Sequence, residues 1–221
     1  YACRLADGEM LWSTERGAEI QSSPALGDGL VLYGDDAGLL RALRARDGSE
    51  VWRRQVEGKI VAAPVVGAGV VVFGVMAPSA LRPPRVDCLL ALRLSDGEVL
   101  WAYKHKNQSR SVLSAPLIAG PAVYFASVEG YLSATRVQAL NLEDGGELWE
   151  LQVGGVIDSS PALADGVLLV GCHDGNLLVI SAVDGRLMQS VPLGPKNYSS
   201  PAVSEGRVYI GSSDGRLYCL R

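Results

Sequence analysis

The chain has 221 residues, of which 48% are hydrophobic and 20% charged, so it is long enough to bury a sizeable core in one domain. Its net charge of −4 and its pI near 5.2 argue against a general nucleic-acid-binding surface. No apolar run approaches the roughly 20 residues of a membrane helix, so we expect no membrane insertion. The sequence opens at Tyr1 without a signal-peptide pattern, and we expect a mature product or an excised domain.

A phrase of two small residues, a proline and two apolar residues occurs five times. Its prolines are 40, 52, 45 and 40 residues apart: Pro24, Pro64, Pro116, Pro161 and Pro201. After each phrase comes a β-rich run that ends near a glycine, at 31–34, 70–74, 122–125, 168–171 and 208–211. Self-similarity at this period indicates a repeat architecture.

A second phrase places a tryptophan four residues after the glycine of an Asp-Gly pair. It occurs at Asp7-Gly8 with Trp12, Asp47-Gly48 with Trp52, Asp96-Gly97 with Trp101, and Asp144-Gly145 with Trp149. A fifth copy, Asp184-Gly185, carries Gln189 instead, so all four tryptophans of the chain fall in one slot. Asp-Gly between two apolar runs predicts a hairpin, because glycine supplies the positive φ of the tight turn.

Each period therefore holds four strands, and four-stranded units of about 40 residues are typical of β-propeller blades. The N-terminal segment supplies the last strand of a blade and the C-terminal segment supplies the first three. We therefore predict an all-β fold: a propeller of five four-stranded blades, closed by pairing of the N- and C-terminal segments in one blade. Residues 1–221 are expected to form this single domain.

The second phrase resembles the PQQ-like repeat family, whose pattern is Ala-x-Asp-x-x-Thr-Gly-Lys-x-x-Trp. The match runs over 42–52, 91–101 and 139–149. Two positions depart from it: the family's Asp becomes Arg4, Arg44, Arg93, Asn141 or Ser181, and its Thr becomes Asp in all five copies. The resemblance implies that Trp12, Trp52, Trp101 and Trp149 dock one blade against its neighbour, which suits a side chain with so much surface to bury. Gln189 then marks the weakest docking site.

PQQ-like repeats occur in quinone-dependent dehydrogenases, in the outer-membrane-assembly lipoprotein of bacteria, in sensor regions of bacterial kinases and in the C-terminal propeller of acyl-adenylating ligases. The quinoprotein dehydrogenases have eight blades and an adjacent Cys-Cys pair over the cofactor, and this chain lacks such a pair. We therefore expect no enzyme activity and no cofactor. The leading hypothesis is a non-catalytic scaffold that binds proteins. The alternatives are an accessory domain of a multidomain enzyme, such as an acyl-adenylating ligase, and a small-ligand sensor domain.

Metal and catalytic sites are not predicted either. Asp35, Asp36 and Asp174 stand beside glycines where turns need an Asx side chain. His105 and His173 belong to no recognisable constellation. The four cysteines, Cys3, Cys88, Cys172 and Cys219, form no CxxC pair, and unpaired cysteines favour a cytoplasmic location.

Departures from the repeat predict the functional surface, because insertions map to loops. A proline-rich loop at 75–87, a basic loop at 104–110 and a lengthening at 133–138 that holds Arg136 are the three departures. The candidate partner contacts are basic residues of the first two loops: Arg82, Arg85, Lys104, His105, Lys106 and Arg110. We interpret them as solvated loops, as a contact surface for an acidic partner or neighbouring domain, or as a small-molecule site. The chain itself is expected to be a monomer.

Overall fold

A computed structural model describes residues 1–15, 17–77, 87–104, 110–129 and 134–221. Within these ranges the secondary structure consists of strands and turns, and no helix there could cross a membrane. The predicted loop segments 78–86 and 105–109 lie outside the described residues, as do Arg16 and 130–133.

The described residues contain twenty-two strands in six antiparallel sheets, numbered I to VI in chain order. Sheet I contains β1 (Ala2–Cys3) and β2 (Met10–Trp12). Sheet II contains β3 (Ala25–Gly27), β4 (Leu30–Gly34), β5 (Leu39–Arg44) and β6 (Glu50–Gln55). Sheet III contains β7 (Val65–Gly67), β8 (Val70–Gly74), β9 (Leu89–Arg93) and β10 (Val99–Tyr103).

Sheet IV contains β11 (Arg110–Ser111), β12 (Leu117–Ala119), β13 (Ala122–Glu129), β14 (Ala134–Asn141) and β15 (Glu147–Val153). Sheet V contains β16 (Ala162–Ala164), β17 (Val167–Gly171), β18 (Asn176–Ser181) and β19 (Leu187–Pro192). Sheet VI contains β20 (Ala202–Ser204), β21 (Arg207–Gly211) and β22 (Leu217–Leu220).

The strands of sheets II, III, V and VI pair in chain order, and the strands that follow the proline phrases contact one another between neighbouring sheets. β7 contacts both β3 and β12, and β16 contacts β20. The strands that follow the proline phrases (β3, β7, β12, β16 and β20) are therefore innermost, and the tryptophan strand is outermost in sheets II, III and IV. The four-stranded period predicted from the repeat is confirmed in sheets II, III and V, while sheet IV gains the extra strand β11.

The hydrophobic core lies between adjacent sheets. Leu90 and Leu92 of β9 pack toward sheet II, whereas Leu89 and Ala91 of the same strand pack toward sheet IV. Further clusters fill the junctions between sheets IV and V and between V and VI. Because both faces of these inner strands are buried, they are continuous apolar runs, such as the Val70–Gly74 strand, and do not alternate with polar residues.

Two kinds of tight turn set the strand ends. In sheets II, III, V and VI the first and second strands are joined by two-residue turns in which both residues have positive φ, for example Asp28 (47°) with Gly29 (75°) and Ala68 (51°) with Gly69 (73°). These are the dihedral signs of the type I′ hairpin turn. The turns between the third and fourth strands use the predicted Asp-Gly pair, with φ of 71° at Gly48.

Two expectations differ from the structure. The segment 133–138 was expected to be a loop, but Thr135–Gln138 lie within β14, which pairs along its length with β13. Closure of the ring is not confirmed either. In the described residues β1 pairs with β2, sheet VI pairs only within itself, and no ladder joins the two terminal segments.

Candidate interaction surface

The four tryptophans make the same contact at successive sheet junctions. Each indole Nε1 donates a hydrogen bond to a backbone carbonyl of the next sheet's third strand or the turn after it, at 2.8–3.0 Å. The donor and acceptor pairs are Trp12 with Ala45, Trp52 with Leu94, Trp101 with Leu142, and Trp149 with Ala182. Trp52, Trp101 and Trp149 are buried, whereas Trp12 is partly exposed.

Each indole ring also lies on the glycine of the next Asp-Gly turn. A Cβ added at Gly97 would lie 2.6 Å from Cε3 of Trp52, and one at Gly145 would lie 2.8 Å from Cδ2 of Trp101. Only a residue without a side chain fits beneath the ring, so the glycine of each of these Asp-Gly turns is required by the tryptophan of the preceding repeat. Gln189 takes the tryptophan slot on β19, opposite Val179, and is exposed.

The aspartates of the Asp-Gly pairs act as turn acceptors. Asp47 Oδ1 accepts hydrogen bonds from the backbone N–H of Ser49 at 3.0 Å and from its hydroxyl at 2.6 Å. These bonds lower the pKa of Asp47 to about 2. Asp35 is buried, and its Oδ1 accepts the N–H groups of Ala37 and Leu39. The predicted turn role of Asp35 is thus visible in its bonding.

The predicted partner contacts are only partly within the described residues. Arg82, Arg85, His105 and Lys106 lie outside them, and Arg110 is described only as part of the backbone of β11. Lys104 is about half exposed, and its Nζ lies 3.4 Å from Asp87 Oδ1. In an antiparallel sheet the second-to-third-strand connection and the exit from the fourth strand leave from one end, so both predicted loops start at the same end of sheet III.

A buried polar network at the junction of sheets III and IV was not predicted from the sequence. Gln138, fully buried on β14, accepts from Ser127 Oγ and donates to the Tyr103 hydroxyl, each at 2.7 Å. Tyr103 in turn donates to Glu147 Oε2 at 2.8 Å. Burial and the neighbouring Glu147 carboxylate both raise the pKa of Tyr103. One feature of the sequence could have indicated this network. Gln138 occupies a position of β14 at which the equivalent strands β9 and β18 have Leu90 and Leu178.

Arg136 is a candidate of the same region. Its Nη1 lies 2.5 Å from Glu150 Oε1 on the neighbouring strand β15, and both side chains are largely buried. The predicted lengthening therefore carries an ion pair between neighbouring strands of sheet IV. The arginine is held on a strand and is not presented by a loop.

The cysteines and the described histidine differ in burial and in their contacts. Cys88 and Cys172 are buried, while Cys3 and Cys219 are exposed. Burial raises the pKa of the Cys172 thiol to about 11, so the thiol is protonated at neutral pH. His173 Nε2 lies 2.8 Å from Asp158 Oδ1. Within the described ranges no three His, Cys, Asp or Glu side chains converge to hold a metal ion.

Comparison with known proteins decides the family. A family model described as "Outer membrane protein assembly factor BamB" matches residues 1–135 and 133–221. The chain belongs to this BamB family. The resemblance to PQQ-like repeat proteins inferred from the sequence is thereby confirmed.

Individual BamB relatives agree with this assignment. The chain is 26% identical over 208 residues to the outer membrane protein assembly factor BamB of Yersinia pestis, which covers 89% of this chain and 40% of the relative. The chain thus spans well under half of that relative's length. The crystal structure of BamB from Moraxella catarrhalis has a TM-score of 0.75 at 22% identity and covers 96% of this chain and 61% of that one.

The same fold also occurs in an enzyme. A quinohemoprotein alcohol dehydrogenase from Pseudomonas putida HK5 has a TM-score of 0.72 at 14% identity and covers 93% of this chain and 41% of that one. At such identities the likeness to either solved structure concerns the β-propeller fold alone.

The expected cytoplasmic location is wrong. The family is described by the assembly of outer membrane proteins, a process of the cell envelope. The expectation rested on the lack of a paired-cysteine motif in the sequence, and that feature does not identify a compartment. Cys88 and Cys172 are small apolar residues in sheet junctions, and such packing is independent of the compartment.

Proposed function

We propose that the chain is a non-catalytic module that binds proteins during the assembly of outer membrane proteins. The observation that carries this proposal is the pair of matches to the BamB family model, which together cover residues 1–221. The repeat supports it, because rigid stacked sheets present loops at fixed positions, and loops on a rigid scaffold are where binding residues concentrate.

The absence of catalysis is part of the proposal, and the described side chains support it. The turn aspartates are used by backbone N–H groups, as at Asp47 and Asp35. The buried Cys172 is held as a thiol, and His173 is paired with Asp158. Such groups serve local structure and do not form a nucleophile and base within reach of one another.

The architecture proposed for residues 1–221 is one propeller domain whose sheets dock through the tryptophans. The indole N–H bonds and the ring-to-glycine contacts at the junctions support this role for Trp12, Trp52, Trp101 and Trp149. Five blades remain a prediction from the repeat. Within the described residues, sheets II to V each have at least four strands, and sheets I and VI have two and three. Four complete sheets and two partial sheets are compatible with five blades.

The proposed contact surface is the end of sheet III where the two predicted loops leave. Lys104 is exposed there, and Arg82, Arg85, His105, Lys106 and Arg110 are the basic residues of the same two connections. Basic groups on a protein with a net charge of −4 favour an acidic partner surface and steer its approach.

Site-specific photocross-linking tests this proposal in the full-length protein in its own bacterium. A photoreactive amino acid replaces Lys104 in one variant and Arg46 in the matched control. Arg46 is an exposed basic residue in an Asp-Gly turn, at the opposite end of its sheet. We expect an adduct with an outer membrane assembly protein from position 104 and none from position 46. Identical adducts from the two positions, or none from 104, would contradict the proposed surface.

A further inference from the structure

A cleft of about 430 Å³ lies between sheets II and III, at the end of the sheets that carries the Asp-Gly turns. Leu30, Val51 and Leu94 line it with apolar surface, and Asp28, Arg44 and Ser95 supply polar groups. The backbone of Gly69 completes the wall. This end is opposite to the one that carries the loops proposed above as a partner surface.

Arg44 differs from the arginines at the same position of neighbouring repeats. Arg4 pairs with Asp7 at 2.9 Å and with Glu9 at 2.5 Å. Arg93 repeats both contacts, with Asp96 at 2.9 Å and Glu98 at 2.5 Å. These two carboxylates raise the pKa of Arg93.

At Arg44 the second carboxylate of the pattern is replaced by Ser49, whose Oγ accepts from Arg44 Nη1 at 3.1 Å. The first carboxylate, that of Asp47, accepts hydrogen bonds from the Ser49 hydroxyl at 2.6 Å and from Arg46 Nε at 3.0 Å. Among the described residues, no carboxylate lies within ion-pair distance of Arg44. Of the three equivalent arginines, Arg44 is therefore the one without a carboxylate partner in the described part of the chain, and it is also the one that lines the cleft. Arg4 and Arg93 provide the comparison within the same chain.

We propose that this cleft binds an extended peptide segment of a partner protein that presents one carboxylate beside a large apolar side chain. The apolar side chain packs on Leu30, Val51 and Leu94, and the carboxylate pairs with Arg44. An arginine suits this task because its planar guanidinium can donate two parallel hydrogen bonds to a carboxylate.

Asp28 restricts the peptide further. It stands on the cleft wall with a charge opposite to that of Arg44, so a run of acidic residues is repelled. A single carboxylate flanked by neutral residues is favoured, since their backbone N–H groups are donors for an Asp28 carboxylate. The inference rests on the proposal that the chain binds proteins, but it concerns a different surface.

Nuclear magnetic resonance titration of the purified 23.3 kDa chain tests the cleft directly. The probe is the peptide acetyl-Gly-Leu-Glu-Gly-amide, and acetyl-Gly-Leu-Gln-Gly-amide serves as the uncharged match. We expect the Glu peptide to shift the amide resonances of Gly69 and Ser95, and to bind about fivefold more tightly than the Gln peptide, which is the scale of an exposed ion pair.

Three variants separate the cleft from non-specific charge effects. Arg44→Gln and Ser49→Glu should each reduce binding of the Glu peptide to the level of the Gln peptide. Ser49→Glu keeps Arg44 and only restores the carboxylate that Glu98 supplies to Arg93. Arg93→Gln, the matched control, should bind as the parent chain does.

Equal binding of the two peptides, an unchanged affinity in both Arg44→Gln and Ser49→Glu, or no shift at Gly69 and Ser95 would overturn the proposal. The photocross-linking experiment at Lys104 is independent of these outcomes. Cross-links at position 104 with no peptide binding would refute the cleft and leave the interaction module in place. Peptide binding without cross-links would refute the loop surface.

Discussion

At the scale of single residues, a tryptophan at a sheet junction combines two contacts that few other side chains can make together. Its ring covers the bare backbone of a glycine, and its N–H satisfies a carbonyl that would otherwise be buried without a donor. Leu94, whose carbonyl accepts from Trp52, belongs to the apolar cluster between sheets II and III. The indole thus links the edge of one sheet to the core of the next.

Removal of a buried indole should therefore destabilise the whole chain. We expect Trp52→Ala to lower the free energy of unfolding by about 3–5 kcal/mol, the usual cost of truncating a buried aromatic residue. Urea denaturation followed by circular dichroism measures the change. Trp12→Ala is the control and should cost less, because Trp12 is partly exposed. An unchanged midpoint for Trp52→Ala would exclude the docking role.

Residue-level prediction from the sequence was strongest where a repeat fixed the position and weakest where chemistry depends on neighbours in space. The tryptophan slots and turn aspartates follow from spacing alone. The partners of Gln138 and Arg136 come from the strands β10, β13 and β15, so no local pattern could identify them. The sequence shows that Ser49 stands where the equivalent repeat has Glu98, so it indicates that Arg44 lacks the carboxylate partner of Arg93. The cleft beside Arg44 depends on the packing of two sheets and could not be predicted from the sequence.

At the scale of strands and turns, the sequence predicted the short strands well because type I′ turns and glycines bound them on both sides. The Val70–Gly74 strand has the predicted limits. Strand β13 was predicted to end at Phe125 but extends to Glu129, since β11 and β14 pair with its added residues. Strand length here depends on hydrogen-bonding partners elsewhere in the chain, which a local run of β-formers does not reveal.

Two glycines with the same φ separate turn strain from ring packing. Gly69 and Gly97 both have φ of 73°, but a Cβ at Gly69 would meet nothing within 4 Å, whereas one at Gly97 would strike Trp52. We expect Gly69→Ala to cost about 1–2 kcal/mol from the left-handed conformation alone. Gly97→Ala should cost a further ~1–3 kcal/mol from overpacking.

Thermal and urea unfolding of both variants measure this difference. The excess cost of Gly97→Ala should vanish in a Trp52→Ala background, because the ring that the new methyl group strikes is then absent. Equal destabilisation by Gly69→Ala and Gly97→Ala in the parent chain would show that the ring does not press on the turn.

At the scale of the whole molecule, stability is a sum over sheet junctions, because each sheet buries its faces against its neighbours only. Sheets III and IV have apolar clusters on both sides, whereas sheet VI has one, and β20 is exposed along its length. Sheet I holds two short strands that are mostly exposed. The predicted closure would have given these terminal segments a shared ladder, and the structure pairs each within itself.

The rates of amide hydrogen exchange should consequently differ more between sheets than between the strands of one sheet. We expect the amides of β8, β9 and β13 to exchange slowest, at rates set by global unfolding, and those of β1, β2 and β20 to exchange fastest through local opening. Peptide-resolved mass spectrometry after deuterium labelling measures both groups. The interior of sheet V is the internal control, since its two junctions predict slow exchange beside the fast sheet VI. Equal, strong protection of β2 and β22 would mean that the terminal segments pair in solution, and would restore the closed ring predicted from the repeat.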